Sequence, residues 1–233
     1  MTAIDEIIQI QDITKNFPTP SGETQLFNGL SFNVMRGDFA AITGATGCGK
    51  TTLLNMISGL DSPTSGSVTV LGKEVSSLAD NEKTDLRMNS IGVVFQTSGL
   101  MPGLSVAHNI EVPLVLRGLP QAEREEKSRE VMEFFGLTKK SDNSILSLSV
   151  GERRKVAIAR AVITDPELLL LDEPTSGLDT PTINILTPLL RGMHFLRSRT
   201  IVIATNSLEV AKIASREVPV ERPLMLAALN EEV

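Results

Sequence analysis

Short apolar runs of strand length recur along the chain, separated by turns or by stretches of helical periodicity. In the first half these runs are bounded by Gly, Pro and Ser residues, which commonly flank strands. In the second half each run is followed by a helical pattern, and this alternation predicts a parallel sheet covered by helices on both faces. The predicted strands are residues 7–13, 31–35, 38–43, 67–71, 91–95, 168–171 and 200–205.

Helical periodicity fills much of the remaining chain and dominates residues 97–160. This stretch predicts a helical subdomain inserted into the sheet domain. Pro188 lies inside the last predicted helix, and we expect a kink or an early end there because proline removes a backbone donor. The predicted helices are residues 51–58, 121–135, about 150–163 and the stretch after Pro181.

The size of the chain and this alternation predict one α/β domain over residues 1–233. Residues 216–233 form an atypical tail, and from Pro219 onward the tail has no strong period, so we expect it to be partly disordered. A turn-rich segment at residues 18–22 separates the first two predicted strands.

Composition and charge narrow the classes of function. The net charge is -6, and Arg153, Arg154 and Lys155 form the longest basic run, which argues against a nucleic-acid partner. No apolar run approaches the roughly 20 residues that span a bilayer, and the first six residues lack the layout of an export signal. One cysteine among 233 residues fits a reducing compartment, and we expect a cytoplasmic protein.

Residues 44–51, GATGCGKT, form the most informative motif of the chain. The spacing G-x-x-x-x-G-K-[ST] between a strand and a helix builds a loop whose backbone N–H groups surround nucleotide phosphates. In such a loop Lys50 reaches the β- and γ-phosphates and Thr51 binds magnesium. The alternative is a chance glycine-rich turn. The residues expected to contact nucleotide here are Gly44, Ala45, Thr46, Gly47, Cys48, Gly49, Lys50, Thr51 and Thr52.

Cys48 lies inside this loop, close to the predicted start of a helix. A helix N-terminus favours the thiolate, so one hypothesis is a reactive thiol whose alkylation ATP blocks. The other is a small side chain that only fills space. The sequence leaves both open.

Two acidic residues follow the buried run of four leucines at residues 168–171. Such a strand delivers Asp172 and Glu173 at its carboxyl end, where a parallel sheet also holds the phosphate loop. Asp172 is then placed to hold magnesium, and Glu173 to orient or deprotonate the water that attacks the γ-phosphate. The alternative is a pair of acids that merely end a strand.

The segment from Leu148 to Ala161, LSVGERRKVAIARA, resembles the signature of ATP-binding cassette (ABC) ATPases, and the similarity extends from about Ile7 to Ala214. The resemblance implies a P-loop NTPase ABC cassette with a mostly parallel core sheet, an antiparallel β subdomain and an inserted α-helical subdomain. It also implies ATP and Mg2+ as ligands and a head-to-tail dimer, in which Ser149 and Gly151 contact the nucleotide of the second cassette.

Three further positions match the family pattern. Phe17 corresponds to the aromatic residue that stacks on adenine, although a core or turn role is the alternative. Gln96 corresponds to the glutamine that contacts magnesium and links the site to a membrane partner. Asp179 lies in the segment that corresponds to the loop crossing the dimer interface.

The chain departs from the family pattern at two positions. Val150 replaces the first signature glycine, and Asn206 stands where a histidine is usual. Asparagine still donates a hydrogen bond to a γ-phosphate but carries no charge and shuttles no proton, so we expect slow hydrolysis. An ordinary strand-end cap is the alternative for Asn206.

Residues 95–118 are similar to the cassettes of the macrolide-export, lipoprotein-release and cell-division group. The resemblance implies an ATP-hydrolysing subunit that dimerises on ATP and drives a separate integral membrane permease, docked near residues 96–104, on the cytoplasmic face of the membrane. The residues given catalytic roles are Lys50, Gln96, Glu173 and Asn206. An ATP-gated binding module with weak hydrolysis is the alternative function.

Overall fold

The strands of the protein form two sheets in the computed structural model, which describes residues 5–20, 22–197 and 199–221. The strands are β1 (Glu6–Thr19), β2 (Gly22–Met35), β3 (Phe39–Thr43), β4 (Ser65–Val70), β5 (Lys73–Glu74), β6 (Ile91–Val94), β7 (Leu168–Asp172), β8 (Thr200–Thr205) and β9 (Arg216–Pro219). One sheet is antiparallel, in the order β2-β1-β4-β5. The other is parallel, in the order β6-β7-β8-β3-β9.

Helices cover the parallel sheet and connect most of its strands. They are α1 (Lys50–Ile57), α2 (Asp80–Asn89), α3 (Val106–Leu116), α4 (Gln121–Phe135), α5 (Val150–Val162), α6 (Thr180–Arg197) and α7 (Leu208–Ala211). The helices α3, α4 and α5 pack against one another, and α5 also packs on β6. This arrangement is the predicted α/β fold.

The alternation of side chains along the parallel strands divides the core into two parts. Leu168 and Leu170 face the antiparallel sheet and α1, whereas Leu169 and Leu171 face the side of α3, α5 and α6. All four leucines are fully buried. A continuous leucine run is therefore required in β7, because both faces of this strand are covered.

The first two strands are longer than the sequence predicts. The strands β1 and β2 pair up to Thr19 and Gly22, so that the segment at residues 18–22 contains a tight turn rather than a long connection. The strand β4, on the other side of β1, pairs with β1 only as far as Thr14. Pro18 thus lies where β1 has a neighbour on one side only, and an edge of this kind tolerates proline.

The predicted early end of the last helix at Pro188 is wrong, and one strand was not predicted from the sequence. The helix α6 continues through Pro188 to Arg197, since its buried side chains Leu186, Leu190 and Met193 hold it on the sheet. The first residues of the predicted tail form β9, which pairs with β3 and buries Val218. The rest of the tail prediction, from residue 222 onward, lies outside the described residues.

Candidate functional site

The phosphate loop joins the end of β3 to the start of α1. All five residues of β3 are buried, so the loop leaves the sheet from a fixed point. Gly49 has φ 107°, and a methyl group at its Cα would lie 2.6 Å from the Phe27 ring. Glycine is needed there for both conformation and space. The first N–H groups of α1 have no helical carbonyl to bond, and they form an anion site.

Lys50 begins α1, and its side chain is only 6% exposed. Its ammonium group donates to the carbonyl oxygens of Gly44 at 3.0 Å and Ala45 at 3.2 Å, and to Oδ1 of Asn206. Glu173 Oε1 lies 3.8 Å from Lys50 Nζ. An ammonium group has three protons, so protein acceptors occupy all of them here.

Asp172 ends β7 and is 3% exposed. Its Oδ2 accepts a hydrogen bond from the Thr51 hydroxyl at 2.8 Å, whereas Oδ1 is buried without a hydrogen-bond partner among the described residues. Burial raises the pKa of Asp172, and the Thr51 hydroxyl and the charges of Lys50 and Arg154 oppose this rise. Asp172 therefore offers one free, desolvated oxygen beside a hydroxyl group.

Glu173 follows Asp172 in a left-handed backbone conformation, with φ 45°. Its N–H donates to the carbonyl of Ala204 at 2.9 Å, which ties this conformation to β8. Its Oε2 accepts from the N–H of Asn206 at 3.3 Å, and its Oε1 has no hydrogen-bond partner among the described residues. Glu173 is held by backbone contacts and keeps one oxygen available.

Asn206 follows β8 and connects three parts of the site. Its Oδ1 accepts from Lys50, its Nδ2 donates to Thr46 Oγ1 at 3.1 Å, and its N–H donates to Glu173. These contacts join residues that are up to 160 positions apart in the chain. The neutral amide serves as donor and acceptor at once, which favours a role in the site over an ordinary strand-end cap.

A cavity of about 370 Å³ (the Lys50 cavity) opens in front of Lys50, Glu173 and Asn206. Phe17 forms part of its wall and is 38% exposed, with Lys15 Nζ 5.0 Å from the ring centre. An exposed ring at the mouth of a polar cavity suits stacking on a base. The residues that line the cavity are Phe17, Leu26, Thr46, Gly47, Gly49, Lys50, Thr51, Thr52, Gln96, Glu173, Ser176 and Asn206.

Cys48 differs from its neighbours in the loop. Its side chain is 3% exposed and belongs to the hydrophobic core, whereas its N–H donates to the carbonyl of Ala45 at 3.2 Å. A buried thiol is poorly accessible to an alkylating reagent. The structure favours the space-filling role over the reactive thiol.

Gln96 is exposed at the cavity, and a residue that sequence reasoning missed holds its backbone. Arg154 of α5 donates to the carbonyl of Phe95 at 3.2 Å and to that of Gln96 at 3.3 Å. The Arg154 side chain is buried, and this burial lowers its pKa, whereas Asp172 and Glu173 raise it. From sequence, Arg154 reads only as part of a basic surface run.

The signature segment begins α5 with a capping box. Ser149 Oγ accepts from the N–H of Glu152 at 3.2 Å, and Glu152 accepts from the N–H of Ser149 at 2.9 Å and from Lys140. The hydrogen bond from Lys140 is the main reason that the pKa of Glu152 is lowered. The sequence pattern S-x-x-E predicts such a box and was overlooked. Val150 and Gly151 begin the helix, where N–H groups lack helical acceptors.

Asp179 precedes α6 and accepts from the N–H of Thr182 at 3.1 Å. The pKa of the exposed Asp179 carboxyl is lowered, first by a hydrogen bond with the Thr182 side chain and then by this backbone contact. Asp179, Ser149 and Gly151 are absent from the lining of the Lys50 cavity. The four predicted catalytic residues and most of the phosphate loop thus line one cavity, and Asp172 bonds to Thr51 beside it. The predicted loop residues Gly44, Ala45 and Cys48 line a neighbouring cavity.

This fold and this arrangement of phosphate loop, paired acids and signature helix define a nucleotide-binding cassette of the P-loop ATPase class. Residues 27–176 match the ABC transporter family. The chain belongs to that family, and it is an ATP-binding and ATP-hydrolysing subunit of the transporter type. None of the helices among the described residues is both long and apolar enough to cross a membrane.

Three similar proteins support this membership. An uncharacterized ABC transporter ATP-binding protein of Thermotoga maritima is 36% identical over 205 residues, which cover 88% of this chain and 87% of that one. A lipoprotein-releasing system ATP-binding protein, LolD 1 of Rhodopseudomonas palustris, is 36% identical over 92% of this chain and 96% of its own length. The macrolide export protein MacB of Hyphomonas neptunium is 35% identical, and the match covers 92% of this chain but 33% of MacB.

Solved structures show the same architecture. The dimeric cassette MJ0796 in a post-hydrolysis state with ADP and phosphate superposes with a TM-score of 0.86 at 30% identity, covering 92% of this chain and 94% of that one. The cassette cbiO1 of Clostridium perfringens, part of the cbiONQ complex, superposes with a TM-score of 0.82 at 29% identity, covering 93% and 85%. The predicted family and fold class are confirmed.

Proposed function

We propose that this chain binds ATP with Mg2+ in the Lys50 cavity and hydrolyses it there, as one half of a head-to-tail dimer that drives a membrane permease. The observation that carries this proposal is the convergence of Lys50, Thr51, Glu173 and Asn206 on one cavity. These residues come from three different strand ends, so the parallel sheet assembles the site.

The residues beside Thr51 fit a magnesium ion. Asp172 Oδ1 is buried without a hydrogen-bond partner among the described residues, next to the Thr51 hydroxyl, and Mg2+ prefers such hard oxygen ligands. The described residues contain no group of three or more His, Cys, Asp or Glu able to hold a metal, so phosphate and water would complete the coordination. Thr51, Asp172 and Gln96 would hold the ion, and it would neutralise charge on the phosphates.

Hydrolysis requires a water molecule in line with the γ-phosphate. Glu173 accepts the water proton as the oxygen–phosphorus bond forms, and the bond from the γ-phosphorus to the β-phosphate oxygen breaks. Lys50 and the N–H groups of the loop stabilise the charge that remains on the phosphates. Asn206 donates from Nδ2 to the γ-phosphate. Because its amide carries no positive charge, it stabilises the transition state less than an imidazolium would, and the expected rate is low.

The second cassette supplies the other side of the nucleotide. Ser149, Gly151 and Asp179 are absent from the lining of their own chain's cavity, which supports a role toward a partner chain. The Ser149 hydroxyl accepts within its cap and keeps its proton for a phosphate. The dimeric state of the MJ0796 cassette supports the same arrangement. The second cassette is either a copy of this chain or a different one; in a heterodimer the partner would supply its own signature in place of Val150, whereas Asn206 would remain in this chain's own site.

A groove of about 390 Å³ supports the docking of a permease beside Gln96. Its lining includes Phe95 and Leu116, which are 38% and 67% exposed, and Arg160. Met101, 44% exposed, lies within the predicted docking segment at residues 96–104. Exposed apolar side chains next to Gln96, which lines the nucleotide cavity, suit contact with another subunit. Together with relatives that serve transport systems, this groove supports a location on the cytoplasmic face of a membrane.

An ATP-gated binding module with weak hydrolysis is the second candidate. Two observations favour it: Asn206 lacks an ionisable group, and the Val150 side chain is 48% exposed at the proposed dimer surface. The available Glu173 Oε1 favours hydrolysis instead.

Steady-state phosphate release separates the two candidates. The rate is measured with saturating magnesium and ATP over a range of protein concentrations, with Glu173→Gln as the blank. A rate that rises more than linearly with protein concentration, and that disappears in the blank, is expected from a dimeric ATPase. If ATP binds but release does not exceed the blank, the hydrolytic function of the isolated chain is refuted and the gated module is supported.

A further inference from the structure

The backbone conformation of Gly151, in the signature segment, does not by itself require glycine. Gly151 lies in the first turn of α5 and its φ is outside the left-handed region, so any residue can adopt its conformation. It is, however, buried, and a methyl group at its Cα would lie 2.4 Å from Cγ2 of Thr182. Space rather than conformation therefore excludes a side chain at this position.

Thr182 lies in the first turn of α6 and faces Gly151 through its methyl group. The other atoms of this side chain leave ordinary distances to the same methyl position, 3.5 Å for Oγ1 and 3.6 Å for Cβ. The main-chain N–H of Thr182 donates to Asp179 Oδ1 at 3.1 Å. Thr182 thus contacts the start of the signature helix through its methyl group, and Asp179 through both its main-chain N–H and its side chain.

The start of α5 is fixed internally by its capping box and by Lys140, as described above. Those contacts set the shape of the Ser149 turn but not its place relative to α6. The contact between Gly151 and Thr182 helps to set that place, because a side chain packed directly against a main chain leaves little freedom to slide.

We infer that Thr182 is a positioning residue, which holds the start of the signature helix against the Asp179 loop so that both reach the partner's nucleotide together. This inference rests on the proposed head-to-tail dimer. It assigns a role to a residue outside every motif identified in the sequence.

A competing explanation is that Gly151 is glycine only because a phosphate of the partner's nucleotide approaches its backbone. The two explanations differ in one double variant. Thr182→Ser removes Cγ2 and retains the hydroxyl, so it relieves the clash that Gly151→Ala creates within the chain. It does nothing for a clash with a nucleotide.

The test measures ATP-dependent dimerisation by analytical ultracentrifugation, with Glu173→Gln in every protein to prevent turnover. We expect Gly151→Ala to weaken dimerisation by at least about tenfold. Thr182→Ser removes the methyl contact and should itself weaken dimerisation by about three- to tenfold, whereas the double variant, whose new methyl group takes the place of Cγ2, should return to within about threefold of the parent. Gly192→Ala is the control, because a methyl group there meets the Phe134 ring at an ordinary 3.7 Å.

Two further measurements keep the outcome interpretable. The affinity of each monomer for fluorescent ATP should stay unchanged, because Gly151 is absent from the lining of its own chain's cavity. Urea unfolding of the monomers should give non-additive changes for Gly151→Ala and Thr182→Ser, since the methyl group added at residue 151 would meet Cγ2 of Thr182. This second measurement detects the contact even where Gly151→Ala lowers stability.

The inference is overturned if the double variant dimerises as weakly as Gly151→Ala alone, or if either Thr182→Ser or Gly151→Ala dimerises like the parent. If the parent itself stays monomeric with ATP, the proposed dimer fails and the positioning role fails with it. In that case the unfolding cycle still reports whether Thr182 restricts Gly151.

Discussion

Asn206 competes with nucleotide for Lys50, and this competition leads to a prediction about ADP. Lys50 uses its three protons on the carbonyls of Gly44 and Ala45 and on Oδ1 of Asn206. A phosphate that bonds to Lys50 must displace one of these acceptors. The exposed Asn206 is the acceptor outside the phosphate loop, so its bond is the one to break. Asn206→Ala removes this competitor before the nucleotide arrives.

The size of the effect follows from the type of bond. A hydrogen bond to a charged group contributes about 1.5 to 3 kcal/mol, and we take the lower end because Asn206 is exposed. About 1.5 kcal/mol corresponds to roughly a tenfold change in Kd. ADP should therefore bind about tenfold more tightly to Asn206→Ala. ATP should gain less, because the variant also loses the proposed donor to the γ-phosphate.

The assay is a titration with fluorescent ADP and ATP, with Glu173→Gln in every protein. Leu208→Ala is the matched control, since this side chain is 72% exposed on the same segment and has no bond to Lys50. The expected result is a lower preference for ATP over ADP in Asn206→Ala, with the control unchanged. Weaker or unaltered ADP binding in Asn206→Ala would refute the competition between Asn206 and nucleotide.

Three other variants test the catalytic residues and the core. Asp172→Asn should abolish phosphate release yet raise Tm at pH 7. The reason is that burial raises the pKa of Asp172 in the folded protein. The ionised carboxylate therefore lowers stability at any pH above this pKa, and the loss disappears below the pKa that Asp172 has in the unfolded chain. A Tm difference that persists unchanged down to pH 3 would contradict this reason. Asn206→His should raise the rate of phosphate release at least about tenfold, and the rate plotted against pH should gain an acidic limb near the pKa of histidine, about 6.5. An unchanged rate at every pH would count against the loss of an ionisable group as the cause of slow hydrolysis. Leu170→Ala, at a fully buried position, should lower the free energy of unfolding in urea titrations by about 3 kcal/mol. Leu146→Ala, at a side chain that is 73% exposed, should change it by less than about 0.5 kcal/mol. Similar losses in both variants would contradict the described core.

The sequence by itself determined the parts of this protein whose physics is local. The phosphate loop needs a strand, glycines and a helix start in consecutive residues, so GATGCGKT defines its position without knowledge of the rest of the chain. The leucine run before Asp172 likewise identifies a strand covered on both faces, because burial of each face requires an apolar side chain. The order of these segments along the chain was also sufficient to predict the family.

Tertiary structure decided the features that depend on partners distant in the chain. A short segment such as β9 has too few buried side chains to show a period, and it forms because the edge of β3 offers backbone groups to pair with. The helix α6 passes through Pro188 because its buried face is held by the sheet. Cys48 is buried for the same kind of reason, since residues far away in sequence cover it.

The contacts within the site are non-local in the same way. Asn206 meets Lys50 across 156 positions, and Arg154 meets Gln96 across 58. The type of a residue determines which hydrogen bonds its side chain is able to donate or accept. The type and the spacing do not determine which partner the fold brings to that side chain. The sequence therefore determined which chemistry the chain carries. Only packing between distant segments decided that Asn206 holds Lys50, that Arg154 holds the Gln96 loop and that Thr182 leaves no room at Gly151.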